Sequence, residues 1–288
     1  SGWLQKSVRN VDGLPSKERD RLDFYTRQFV DAMAPSNFAM TNPEVLRETI
    51  NTNGDNLLRG LDNLVDDLER GEGDLEISKT QYEKFKIGEN IATTKGGIIF
   101  ENDLIQIIQY EPSTKTVYKT PLLIVPPWIN KYYILDLRPD NSFVKWAVDE
   151  GHTVFVMSWV NPDKKLARKT FEDYMTEGLL CAIDVVTKAT GEKAANVIGY
   201  CIGGTLLATT LAYMAGKKLD KKIASATFLT TLIDFNEAGD LALFVDDNHL
   251  KLIDEKMKKT GILEGSDLRH TFSLLRANDL IWSFVVNN

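Results

Sequence analysis

Histidine is scarce in this sequence: 288 residues contain only three, His152, His249 and His270. They stand too far apart for metal-binding spacing, so no metal site and no cofactor is expected. Cysteine is rarer still, with Cys181 and Cys201 alone and no Cys-x-x-Cys pair. Both are read as free thiols in a reducing compartment. No apolar stretch approaches the roughly 20 residues of a membrane-spanning helix, and the N-terminus shows no positive region leading into an apolar signal segment. A cytoplasmic protein without a membrane span is the expectation. Positive charge is not in excess either: 34 Lys and Arg against 41 Asp and Glu leave a net charge of -7. That balance argues against a general phosphate-backbone binder, so nucleic acid is not an expected partner. Internal repeats and low-complexity tracts are absent.

What is present is ample apolar material, 43% of the residues, enough to bury the core of one or two domains. The pattern changes near residue 97. Before it, residues 17–33, 42–58 and 61–69 are polar segments with recurring apolar positions, punctuated by Pro35, Pro43 and Gly71-Glu-Gly73; they read as helices and loops. Thr41 or Asn42 is a candidate cap, with Pro43 tolerated in the first turn. Residues 1–96 are thus a helical N-terminal region. From Gly97 the pattern alternates strand and helix, starting with a hairpin over residues 98–110 and continuing through apolar strands at 122–125, 153–157, 195–200 and 223–231. Helices are expected at 142–150, 171–189 and 204–215. Residues 97–235 therefore read as a doubly wound, mostly parallel α/β core, with 236–288 as a lid or cap segment.

The central motif is Asn196-Val-Ile-Gly-Tyr-Cys-Ile-Gly-Gly-Thr205, an apolar strand feeding a small-x-Cys-x-small turn that opens a helix. Such a turn needs small residues two positions before and after its centre, because side chains at Gly199 and Gly203 would crowd it. Cys201 is thereby held outward as a candidate nucleophile, and the helix N-terminus favours its thiolate. The Ile202 N–H is the natural first oxyanion donor, and a second would come from Trp128 or Ile129 in the loop after Val125. A tight turn around an ordinary buried cysteine would give the same short pattern; the apolar strand before it and the helix after it favour the nucleophile. Cys181 lacks that context and reads as a core thiol.

The base is the difficulty. His152 opens a strand, on the rim opposite Cys201, and reads as structural. His249 and His270 follow the last strand, on a covering segment poorly organised for proton transfer. Asp234 closes the 223–231 strand, where a carboxylate could orient an imidazole, with a loop turn as its plainer reading. Asp246 and Asp247 read as loop or capping carboxylates. Trp128, Tyr132, Tyr133, Trp159, Phe235 and Phe244 are candidates to line an apolar cavity or to plug the core.

Several stretches together resemble the polyhydroxyalkanoate synthases, which polymerise 3-hydroxyacyl-coenzyme A into storage polyester. They are Pro35-Ser-Asn-Phe38 with Thr41-Asn-Pro43, the segment 126–137 from Pro-Pro-Trp-Ile-Asn-Lys, Val156-Met-Ser-Trp-Val-Asn-Pro162, Gly199-Tyr-Cys-Ile-Gly-Gly204, Thr230-Thr-Leu-Ile-Asp-Phe235 and Arg276-Ala-Asn-Asp-Leu-Ile-Trp282. The resemblance implies an α/β-hydrolase-like fold, incomplete at its C-terminal end, with Cys201 as the nucleophile that carries the hydroxyacyl group as a thioester. In that family the chain continues past the position of Asn288, and the continuation holds the triad aspartate and general-base histidine; Asp234 does not match that aspartate. An open sheet edge beside residues 223–231 is expected in consequence.

The resemblance also implies the partners: a 3-hydroxyacyl-coenzyme A substrate, a polyester chain or granule in the cytoplasm, and a complementing polypeptide or homodimer. Three functions follow as expectations. The chain is an acyltransferase whose base lies elsewhere, a catalytically silent remnant or granule-associated binding protein, or a simple thioester hydrolase.

Overall fold

The structure, a computed structural model, describes residues 2–9, 11, 13–73 and 75–287, leaving the side chains of residues 4, 5, 220 and 270 outside the description. Four helices come first: α1 (Gly2–Arg9), α2 (Ser16–Ala32), α3 (Pro43–Asn51) and α4 (Asp55–Arg70). Asn42 caps α3 by accepting the N–H groups of Glu44 and Val45, and Pro43 fills the first turn. The segment 42–58, read as helix and loop, divides between α3 and the start of α4. Asn53 and Gly54 both take positive φ there, 52° and 93°, which no helix interior accepts.

Strands β1 (Gly96–Glu101), β2 (Ile105–Tyr110) and β3 (Leu122–Val125) follow, then the short pair β4 (Asp136–Arg138) and β5 (Asn141–Ser142), helix α5 (Phe143–Asp149) and strand β6 (Val154–Trp159). The long helix beyond is not uniform: α6 (Phe171–Asp173) passes through a π-helical turn, Tyr174–Leu180, into α7 (Cys181–Thr190). Strand β7 (Ala195–Tyr200), helix α8 (Ile202–Gly216) and strand β8 (Ile223–Leu229) complete the sheet, and α9 (Asp247–Thr260), α10 (Gly265–Leu275) and α11 (Ser283–Asn287) end the chain.

Contacts group these elements into two compact units. One consists of Ser1–Tyr82, Gly239–Glu255 and Glu264–Asn288, the other of Glu83–Ala238 and Lys256–Leu263. Residues 236–288, one segment in the sequence reading, are divided between them. In the first unit, buried Phe24 on α2 meets half-buried Phe244 edge-on at 5.5 Å. Arg21 reaches Asp246 at 2.5 Å.

The second unit is built on a six-stranded sheet in the order β1-β2-β6-β3-β7-β8. The pairs β6–β3, β3–β7 and β7–β8 are parallel, whereas β2 runs antiparallel to both of its neighbours. All four residues of β3 are buried, because both faces are covered: Leu123 and Val125 belong to the cluster with Leu179, Ile183, Leu206 and Leu207 of the long helix and α8. Leu122 and Ile124 face Val144, Ala147 and Val148 of α5. That explains the unbroken apolar run, at about 1.5–3 kcal/mol for each large side chain buried. Strand β8 lies at one end of the order, pairs with β7, and leaves Phe228 43% exposed.

Candidate active site

Parallel pairing brings the carboxyl ends of β3, β6 and β7 to one rim, the edge at which α/β sheets collect ligands. Cys201 follows β7 directly. It has φ 54° and ψ -125°, a conformation that costs a non-glycine residue about 1–3 kcal/mol and persists only where its surroundings hold it. Three features hold it here. The Cys201 N–H donates to the Leu229 carbonyl at 2.9 Å, and its own carbonyl accepts the N–H of Gly204 at 2.9 Å and of Thr205 at 3.2 Å. The Thr205 hydroxyl donates to the Leu232 carbonyl at 2.7 Å. Glycines supply the room. A Cβ on Gly199 would stand 2.4 Å from the Gly204 Cα, and one on Gly203 2.3 Å from the Val125 oxygen.

The result is an exposed thiol on a fixed turn. The Ile202 N–H, at the first position of α8 and ahead of the Gly204 and Thr205 N–H groups that bond the Cys201 carbonyl, has no intrahelical acceptor. Gly203 lies against the carbonyls of Val125 and Pro126, so the turn and the end of β3 touch. Neither Pro126 nor Pro127 carries an N–H, and the next donors in that loop are Trp128 and Ile129. Trp128 packs among Trp159, Phe171 and Tyr174, with ring centroids 5.6, 6.2 and 5.0 Å away. The sequence reading missed Gly204, where a Cβ would fall 2.0 Å from the Thr231 hydroxyl. Its signal was the doubled glycine of the motif.

The other candidates lie apart. His152 precedes β6, whereas Cys201 follows its parallel neighbour's neighbour β7, so the two occupy opposite rims; the His152 ring sits 5.1 Å from Tyr118. Asp234 is exposed and accepts the Asn236 N–H at 3.0 Å, which is a local turn. Asp246 caps the start of α9 by accepting the N–H groups of Asn248 and His249 and also holds the His249 ring at 2.7 Å. Those contacts, the backbone N–H of His249 foremost and then its ring, hold the Asp246 carboxyl well below the usual carboxylate range. The His270 side chain lies outside the described residues. Burial, followed by the Asp184 charge, pushes the Cys181 thiol up, the opposite of what a nucleophile needs. Among the described residues no group of three or more His, Cys, Asp and Glu is placed to hold a metal, and no helix is long and apolar enough to cross a membrane.

A mostly parallel sheet whose strand β7, buried between β3 and β8, ends in a strained, glycine-flanked turn defines the α/β hydrolase class, and residues 123–288 match the alpha/beta hydrolase fold. Residues 1–147 match the N-terminus of poly-beta-hydroxybutyrate polymerase (PhaC). The chain therefore belongs to the poly-beta-hydroxybutyrate polymerase (PhaC) family. It is 51% identical over 288 residues to the poly(3-hydroxyalkanoate) polymerase subunit PhaC of Rhizobium meliloti, covering 100% of this chain and 47% of the relative. Identity to the poly(3-hydroxyalkanoate) polymerase of Methylorubrum extorquens is 52% over 286 residues, 99% of this chain and 47% of that protein. For the PhaC subunit of Cupriavidus necator it is 44% over 278 residues, 95% and 46%. The chain spans about half the length of these curated relatives.

Proposed function

We propose that this chain performs the acyl-loading step of a poly(3-hydroxyalkanoate) polymerase, with Cys201 as nucleophile and a 3-hydroxyacyl-coenzyme A thioester as substrate. The observation that carries the reading is the backbone of Cys201 at φ 54° and ψ -125°, exposed at the β7–α8 junction. The Cys201 sulfur, having released its proton, attacks the thioester carbonyl carbon. The carbonyl oxygen becomes an oxyanion facing the Ile202 N–H and the N–H of Trp128 or Ile129. The carbon–sulfur bond to coenzyme A then breaks, and coenzyme A leaves as a thiolate that takes up a proton. One thioester replaces another, so the step is nearly balanced in energy and suits a cysteine. Transfer of the loaded acyl group to the hydroxyl of a growing polyester needs a general base, worth about 10²–10⁴ in rate. We assign that later step to the polymerase as a whole.

The test is intact-mass labelling of the purified chain with 3-hydroxybutyryl-coenzyme A while coenzyme A release is followed. Stoichiometric acylation in the wild type and none in Cys201→Ala is expected. Folded wild-type protein that stays unlabelled would refute the reading.

One observation favours a second reading, association with the polyester granule without catalysis. Helix α4 leaves Leu57, Leu58, Leu61 and Val65 exposed by 45%, 64%, 57% and 46%, a face suited to an apolar surface. Co-sedimentation with granules that survives Cys201→Ala and is lost on Leu58→Glu/Leu61→Glu would separate this role from acyl loading.

A further inference from the structure

Trp159 ends β6 two strands away from Cys201, yet its indole reaches across the end of β3. The Nε1–H donates to the Pro126 carbonyl oxygen at 2.8 Å in a buried bond. That same peptide is confined from the other side, because the Pro126 oxygen lies 2.8 Å from where a Cβ on Gly203 would be. The Pro126 peptide is thus clamped between the indole and the nucleophile turn. From its carbonyl to the Trp128 N–H only two backbone torsions intervene, φ and ψ of Pro127. The pyrrolidine ring locks the first near -65°. A single soft torsion then sets the direction of the first N–H after β3, and the Trp128 ring is caged at the far end by Trp159, Phe171 and Tyr174.

Trp159 is itself built in. It stacks on Tyr174 at 5.3 Å and 27°, and its ring lies against Gly178 of the π-helical turn, where a Cβ would approach two ring carbons at 2.8 Å. A buried tryptophan must find an acceptor for its N–H as well as apolar contact for its ring. Here the polar edge is spent on one carbonyl, and an unsatisfied buried N–H would be costly.

We infer that Trp159 is a positioning residue for the oxyanion site: through Pro126 it aims the Trp128 N–H at the oxygen of the reacting thioester. The inference rests on the acyl-loading reading above and adds the residue that fixes its second donor. Trp159→Phe keeps an aromatic ring on Tyr174 and Gly178 but releases the Pro126 carbonyl. The maximal rate of Cys201 acylation by 3-hydroxybutyryl-coenzyme A should fall by about 10- to 100-fold, the scale of a misaimed or lost oxyanion donor. The half-saturating substrate concentration should stay within about threefold of wild type, because the donor acts on developing charge rather than on binding.

Alkylation of Cys201 by iodoacetamide, which forms no oxyanion, should be unchanged in the same variant. Acylation at the wild-type rate would overturn the inference. So would a parallel loss of acylation and alkylation, which would mark a packing role only. Where Trp159→Phe fails to fold, benzothienylalanine at position 159 keeps the indole shape and removes only the N–H; a rate loss there supports the inference, and an unchanged rate overturns it. Wild-type protein that alkylates at Cys201 but never acylates would instead defeat the acyl-loading reading, and this inference with it.

Discussion

Two glycines of α8 should respond to the same substitution with opposite signs. Alanine is favoured over glycine in a helix by roughly 0.8–1 kcal/mol, and neither Gly203 nor Gly216 has positive φ. A methyl on Gly216 meets nothing within 4 Å, so Gly216→Ala should stabilise by about 0.4–1 kcal/mol. A methyl on Gly203 would stand 2.3 Å from the Val125 oxygen and 2.8 Å from the Pro126 oxygen, the first contact being more than ~1 Å inside ordinary van der Waals distance. Those atoms cannot retreat cheaply, because Val125 is paired with Gly199 in the β3–β7 ladder and Pro126 is bonded to Trp159. Overpacking of this kind costs about 1–3 kcal/mol, and its upper half exceeds the helix gain. At roughly 2–4 °C per kcal/mol for a unit of this size, Gly203→Ala should melt a few degrees below wild type and Gly216→Ala a few degrees above. Thermal denaturation of the three proteins by circular dichroism makes the comparison. Gly203→Ala melting at or above Gly216→Ala would refute the steric argument and with it the close contact between the turn and β3.

Strain at the turn makes a second prediction: Cys201→Gly, which accepts φ 54° freely, should raise the melting temperature relative to Cys201→Ala by the equivalent of about 1 kcal/mol, while both variants lose acylation; equal melting of the two would show no stored strain. Acid titration makes a third. Asp246 is held below its ordinary range in the folded chain by the His249 N–H, the His249 ring and the Asn248 N–H, so its contribution is present above the unfolded value of about 4 and lost as pH falls toward the lower folded value. Asp246→Asn should therefore melt below wild type at neutral pH, and the gap should close as the pH is lowered from about 4; a gap independent of pH would count against it.

Strands β3 and β7 were legible to the residue because β3 is an apolar run buried on both faces and β7 is mostly so, and each is stopped sharply, by Pro126-Pro127 in one case and by the Cys201 turn in the other. The candidate nucleophile was legible for a related reason: Gly199 and Gly203 are steric requirements that leave a mark in the chain. The start of α8 was not, since its first turn contains two glycines that propensity disfavours and packing against β3 and Thr231 demands. The break between α3 and α4 was hidden because Asn53 adopts a left-handed conformation that only its position before Gly54 hints at. The bond from Trp159 to Pro126 joins residues 33 apart, and no local pattern announces which aromatic residue spends its polar edge on which carbonyl. His152 was placed by strand polarity, which sufficed to set it on the rim opposite Cys201.

Strand β8 has a colloidal consequence. An outer strand with exposed backbone polar groups is a template for another chain, and this one presents Phe228 as well. Mutual repulsion opposes such pairing, set by a net charge of -7 at neutral pH and vanishing near the isoelectric point of about 5.2. The lysines at 217, 218, 221 and 222 guard only the end at which β8 begins. A shelf life that shortens with concentration, and shortens fastest in mildly acidic buffer, is the outcome expected from the sheet's rim rather than from its core.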